Sequence, residues 1–221
     1  MANFGTLITM LVIQNVVMAG VALWWMRRAA SSSRSAASPS AVASSAKDTL
    51  KFFGLSLPDR RLIGLALGLG IALFVLIQGL EYVQTTLLQD MLPISAYSAM
   101  KRWSDTTGAG PLFVLLDSPW KKLAFASVGT LIAPFGEEMF FRGFAYNAIK
   151  RRTGITTAIV VSALLFGMAH LNPFALPLIC LMGAAFALAY QRTGSLWTSI
   201  IMHAAHNGLA FGLMAYQMRY R

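Results

Sequence analysis

The chain has 221 residues, 57% of them hydrophobic and 12% charged, with mean hydropathy +0.62; an ordinary globular domain carries roughly 25% charged residues, so a soluble fold is excluded. The net charge of +10 would suit a nucleic-acid partner, but most of the Lys and Arg flank apolar runs, where the positive-inside rule and anionic head groups account for them. No nucleic-acid partner is expected, and the single cysteine, Cys180, excludes an internal disulfide.

Six apolar stretches are long enough to cross a bilayer, which predicts an all-α integral membrane protein of about six transmembrane helices with no room for a sizeable soluble domain. The first, Phe4 to Met26, is uncharged and ends in Trp24-Trp25 followed by Arg27-Arg28. A cleaved signal peptide has its basic residues before the apolar run, so this order predicts a retained helix with its N-terminus outside. Gln14 and Asn15 in its middle read as structural amides that hydrogen-bond another helix. Ala29 to Ala46 is Ser/Ala-rich with Pro39, the composition of a flexible linker that tethers the first helix loosely. Lys47 to Arg61 is basic and amphipathic, either a segment lying on an anionic leaflet or a solvated connector.

Leu62 to Leu80 forms the second span, with Gly64 and Gly68 at a spacing that lets helices approach, and Glu81 at its end as an interfacial carboxylate. Gln89 to Trp120 is a long polar loop in which Pro93, Gly108, Gly110, Pro111 and Pro119 break regular structure; it is placed to cap or gate the bundle. Four further spans follow: Leu123 to Ile149, Ile155 to His170, Pro173 to Gln191 and Leu196 to Met218. The expected organisation is therefore an N-terminal helix (1–28), a linker with a basic juxtamembrane segment (29–61), a second span with its loop (62–120), and a catalytic core of four helices (121–221). With the N-terminus outside, eleven Lys and Arg fall inside (Arg27, Arg28, Arg34, Lys47, Lys51, Arg60, Arg61, Lys150, Arg151, Arg152, Arg192) against six outside (Lys101, Arg102, Lys121, Lys122, Arg219, Arg221). That bias favours this orientation.

The third span carries Gly136-Glu137-Glu138-Met139-Phe140-Phe141-Arg142-Gly143, two carboxylates and a guanidinium in an otherwise apolar run. Charge at that depth is expensive unless paired or functional. Glu138 and Arg142 share a helix face at i, i+4 and can pair, whereas Glu137 points roughly 100° away and is left for chemistry. The only three histidines lie in spans as well: Phe166-x-x-x-His170, and His203-x-x-x-Asn207 with His206. At 1.5 Å per residue, Glu137 and His170 both stand about 21–23 Å from the Arg151–Gly154 loop, and His203 and Asn207 about 12–18 Å from the same side. The first two can meet; the second pair needs a tilted helix or a loop that dips into the membrane.

A free carboxylate, two imidazoles and a carboxamide at one depth suit the activation of a water for attack on an acyl carbon. Glu137 would be the general base, His170 and His203 would hold the water directly or through a zinc ion, and Asn207 would donate to the oxyanion. No His-Glu-x-x-His helix is present, and Cys180 and the span serines have no histidine at helical spacing, which argues against a soluble-metalloprotease site or a serine or cysteine nucleophile.

Glu137-Glu138-x-x-x-Arg142, Phe166-x-x-x-His170 and His203-x-x-x-Asn207, in this order on successive helices, resemble the three motifs of the CPBP intramembrane proteases, a family that includes the CAAX prenyl endopeptidases and bacterial bacteriocin-processing and self-immunity proteins. Arg192-Thr193-Gly194-Ser195-Leu196-Trp197 is similar to the stretch before the third motif, and the resemblance covers about Lys121 to Ala210. It implies Glu137 as the water-activating carboxylate, Glu138 and Arg142 in its support, His170 and His203 as water or metal (zinc) partners, and Asn207 as oxyanion stabiliser. The implied substrate is a membrane-associated or lipidated peptide or protein, cleaved in a bacterial inner (plasma) membrane. The alternatives are a catalytically silent scaffold or immunity protein of the same fold, and a proton-coupled transporter, which would show broken helices in repeated halves; no such repeat is present.

Overall fold

The computed structural model describes residues 3–35, with side chains to Ala29, and 54–220. Most of the Ala29–Ala46 linker and the first half of the Lys47–Arg61 segment lie outside the described residues. Among the described residues every regular element is helical: α1 (Phe4–Ser35), α2 (Arg60–Met91), α3 (Ile94–Thr106), α4 (Ala109–Leu115), α5 (Pro119–Ser127), α6 (Ala133–Glu138), α7 (Asn147–Thr153), α8 (Ile155–Ala169), α9 (Leu176–Thr193) and α10 (Leu196–Arg219). Two π-helical segments, Val128–Ile132 and Met139–Tyr146, join α5, α6 and α7 into one continuous rod.

This is an integral membrane protein turned inside out relative to a soluble one. Ile63, Leu65, Leu67, Ile71 and Val75 of α2 and Ile13, Val16, Val17 and Trp24 of α1 are exposed, while Glu138 and Arg142 are fully buried. By length and composition, three helices suffice to cross a membrane, namely Phe4–Ala29, Arg60–Met91 and Leu176–Thr193, and Ile155–Ala169 is a shorter apolar helix.

The third span is not the uniform α-helix its hydropathy suggests. Pro134 has no N–H to donate to the carbonyl four residues back and its ring crowds it, so the α ladder is interrupted just where the first π segment lies. In the second π segment the Asn147 side chain takes up displaced carbonyls, donating to Arg142 O at 2.7 Å and Gly143 O at 3.1 Å. Wide π turns of this kind occur often at functional sites. They also climb less per residue than α turns, which lowers Glu137 towards the level of His203.

Helix α1 is docked, not loosely tethered, and it runs to Ser35, beyond the Trp24-Trp25 pair. It lies along α6 and the second π segment. A Cβ at Gly136 would stand 2.6 Å from Asn15 Oδ1 and 2.8 Å from Asn15 O, and one at Gly143 would overlap the Met26 methyl, so the two backbones approach where only glycine fits. Asn15 opposes Gly136 and Met26 opposes Gly143, so α1 and the rod run in the same direction.

Gly64 and Gly68 face open space; the close contact of α2 is made by Gly70, whose Cβ would meet Met202 O of α10 at 2.6 Å. The expected loop Gln89–Trp120 is largely helical, because its breakers sit at element ends: Pro93 precedes α3, Gly108 (φ 93°) precedes α4, and Pro119 opens α5. The approach to α2 is pinned to the start of α10, where Leu196 N donates to Gly54 O at 2.9 Å and Trp197 Nε1 to Leu55 O at 3.3 Å.

Candidate active site

Glu137 and Glu138 are adjacent on α6 and meet opposite surroundings. Glu138 is sealed: its Oε1 accepts from Arg142 Nη1 at 2.7 Å and from His203 Nδ1 at 3.0 Å. Arg142 reaches on to donate through Nη2 to Gly183 O of α9 at 2.8 Å. Its guanidinium lies over the rings of Phe166 (4.6 Å), Phe186 (5.3 Å) and Phe141 (5.9 Å). The aromatic faces carry negative potential and exclude water, so the charge is held without being hydrated. Glu137, with 19% of its side chain exposed against 0% for Glu138, points into a cavity of about 530 Å³.

Each motif histidine is fixed through Nδ1. The Glu138 carboxylate can only accept from His203, and the Phe166 carbonyl can only accept from His170 Nδ1 at 2.8 Å. Both Nδ1 atoms therefore carry the proton in the neutral rings, and both Nε2 atoms carry a lone pair. The His203 ring stacks on Phe186 with centroids 4.6 Å apart, and His170 leans on Phe166 at 4.8 Å. His203 Nε2 stands 4.0 Å from Glu137 Oε2, and that oxygen has no hydrogen-bond partner. The two acceptors are spaced to share one water molecule, which would donate a proton to each.

Glu137, His170, His203 and Asn207 all line this one cavity, together with His206. Asn207 Nδ2 donates to Gly129 O at 2.9 Å, a carbonyl of the first π segment, and has a second N–H to offer. His206 sits edge-on to Phe74 at 5.7 Å. The remaining walls come from Leu11, Gln14, Asn15 and Met18 of α1 and from Gly108, Ala109 and Leu112 at the start of α4, so part of the loop expected to cap the bundle does border the cavity. Trp103 Nε1 of α3 donates to Leu171 O at 3.0 Å, next to His170.

The donors suit zinc in kind, since His170 and His203 each have a hydrogen-bonded partner behind them, as metal-binding histidines do. They do not gather: among the described residues no group of three His, Cys, Asp or Glu stands close enough to share a metal ion.

Gly183 and Phe186, which hold Arg142 and His203, carry no signal in the sequence among other apolar residues. Phe166 was visible as part of a motif, but its double task, carbonyl to His170 and ring to Arg142, needs the fold.

The family model described as type II CAAX prenyl endopeptidase Rce1-like matches residues 119–209. The chain is 32% identical over 80 residues to the protein named "Putative membrane peptidase YdiL" of Bacillus subtilis (strain 168), covering 36% of this chain and 33% of that one. It is 39% identical over 85 residues to the "Membrane-embedded CAAX protease MroQ" of Staphylococcus aureus (strain USA300), covering 36% of this chain and 34% of that one. The match thus spans about a third of the length of either relative. No solved structure matches.

Proposed function

We propose that this protein is an intramembrane endopeptidase of the CPBP type in which Glu137 activates a water, a reading supported by the similarity of residues 119–209 to the type II CAAX prenyl endopeptidase model and of about a third of the chain to two membrane peptidases. The observation that carries the reading is the pair Glu137 Oε2 and His203 Nε2, 4.0 Å apart on one cavity, with His203 held from behind by Glu138.

A water donating to both atoms turns a lone pair towards the carbonyl carbon of a bound peptide. As the C–O bond forms, Glu137 takes the water proton and negative charge grows on the carbonyl oxygen, where the second N–H of Asn207 can donate. Glu137 then delivers the proton to the departing amide nitrogen and the C–N bond breaks, leaving an acid and an amine. His170 lines the same cavity and keeps Nε2 as an acceptor that can take the place of His203 Nε2 on the water. Glu138 and Arg142 touch no reacting atom; they fix the tautomer and direction of His203 and neutralise each other. The substrate is a membrane-associated or lipidated peptide or protein, because the base lies among membrane helices where a free polar peptide does not readily enter.

The bundle orientation follows from the charge count. The cavity is lined from the first half of α1, the end of α8 and the middle and later turns of α10, which lie nearer the outer face if the N-terminus is outside. Reporter tags that put the Arg151–Gly154 loop outside would reverse it.

The test is to express wild type and Glu137→Gln in the same bacterial cells and compare membrane-protein fragments by mass spectrometry. Fragments present with wild type and lost with a folded Glu137→Gln variant are expected. Identical fragment sets would overturn the enzyme reading in favour of a silent scaffold.

A further inference from the structure

Helix α1 lies outside the segment matched by the family model, yet it supplies a wall of the cavity. Its Asn15 is 4% exposed and is the residue that meets Gly136, immediately before the general base. Asn15 Nδ2 is committed, donating to Leu11 O at 2.9 Å, and this fixes the plane of the amide. Asn15 Oδ1 is buried and has no hydrogen-bond partner. A carbonyl oxygen left so is a cost to the folded state unless a donor reaches it when the protein works.

The missing donor can be narrowed by elimination. The water of the proposed reaction has two protons, and Glu137 and His203 take both. Asn207 divides its amide between Gly129 and the oxyanion, and Arg142 turns Nη1 to Glu138 and Nη2 to Gly183, away from α1. Gln14, the other amide on this wall, is the neighbouring residue of the same helix and points about 100° away round it, whereas a peptide lying in the cavity brings one backbone N–H per residue other than proline. We infer that Asn15 is a substrate-binding residue whose Oδ1 accepts a backbone N–H of the peptide being cleaved, beside the scissile bond. The inference rests on the endopeptidase reading above. It makes α1 part of the active site and gives the enzyme a contact that recognises main chain and not sequence, with Leu11 and Met18 offering apolar surface one turn to either side.

The experiment uses a synthetic peptide spanning a cleavage site found by the comparison of wild type with Glu137→Gln, and depsipeptides in which the N–H flanking the scissile bond on either side is replaced by an ester oxygen. The full-length enzyme is assayed in detergent as wild type, Asn15→Leu, which keeps the volume and removes the acceptor, and Asn15→Asp, which keeps an acceptor oxygen. A single neutral hydrogen bond predicts a KM raised roughly 5- to 10-fold in Asn15→Leu, with kcat changed less than about twofold. Asn15→Asp is expected to retain most of the affinity, and one depsipeptide should abolish the difference between wild type and Asn15→Leu. Equal KM in wild type and Asn15→Leu would overturn the inference. So would an Asn15→Leu defect of the same size on every depsipeptide, which would mark Asn15 as a packing residue. Failure of the underlying reading shows separately, as no fragment that depends on Glu137.

Discussion

The two sides of the cavity are built on different principles. On the side of α6, α8 and α10 the side chains are tied to one another: Glu138 to Arg142 and His203, His170 to Phe166, Asn207 to Gly129. On the side of α1 two amides, Gln14 and Asn15, stand among apolar residues, and the wall is held by closeness, Asn15 against Gly136 and Met26 against Gly143. The first kind of wall fixes the direction of each reacting group. The second leaves a surface that a substrate completes.

The difference is tested most severely at the buried ion pair. Arg142→Leu leaves Glu138 charged and unpaired at 0% exposure, and removing one partner of such a pair costs about 3–5 kcal/mol. A large fall in the thermal midpoint of the detergent-solubilised protein is expected, with loss of cleavage. The double variant Glu138→Leu/Arg142→Leu separates the two effects. It removes both charges, so most of the stability should return. Cleavage should not, because His203 Nδ1 then has no carboxylate to fix its tautomer, a loss expected to exceed tenfold in kcat. Recovery of activity in the double variant would show that the pair serves folding alone.

The α1 wall is broken by a single methyl. Gly136→Ala puts a Cβ 2.6–2.8 Å from both the side chain and the backbone of Asn15, and backbone cannot swing aside. Overpacking of this kind costs about 1–3 kcal/mol, and pushing α1 outward should also raise KM. Gly64→Ala is the matched control. It meets nothing within 4 Å, so the helix propensity of alanine should raise stability by about 0.5–1 kcal/mol. A neutral Gly136→Ala would mean that α1 does not stand where the structure puts it.

The same contrast explains what was legible in the sequence. The tied wall is written in spacings: Glu138 and Arg142 at i, i+4, Phe166 and His170 at i, i+4, His203 and Asn207 at i, i+4. Each spacing is a local consequence of helix geometry, and polar residues in apolar spans stand out. The docked wall is written in a meeting of Asn15 with Gly136, 121 positions apart, and no periodicity encodes that. The helices of the polar stretch after α2 were missed for another reason. Pro93, Gly108 and Pro119 were read as breakers of regular structure, whereas Pro and Gly at the ends of short helices mark them out. Depth estimates put His203 lower than Glu137 because they assumed α-helical rise throughout, and the π segments that shorten the rod follow from Pro134 and its surroundings only once the ladder is seen.

The smallest effect lies at the end of α8. Leu171, directly after His170, has φ 52°, a left-handed conformation that costs an L-residue roughly 1–2 kcal/mol and is normally filled by glycine at the end of a helix. Its side chain is 72% exposed, so packing does not repay the strain. What the conformation does is end α8 at His170 and turn the Leu171 carbonyl to Trp103 Nε1 of α3. Leu171→Gly should therefore keep that hydrogen bond and raise stability by at most about 1 kcal/mol, since relief of strain is partly offset by the greater freedom of glycine in the unfolded chain. Leu171→Val, β-branched and poorly suited to positive φ, should lose stability by a similar amount and weaken the Trp103 contact. Thermal midpoints together with Trp103 emission would decide: if both variants left them unchanged, the turn after His170 would be free to relax, and His170 would owe its direction to Phe166 alone.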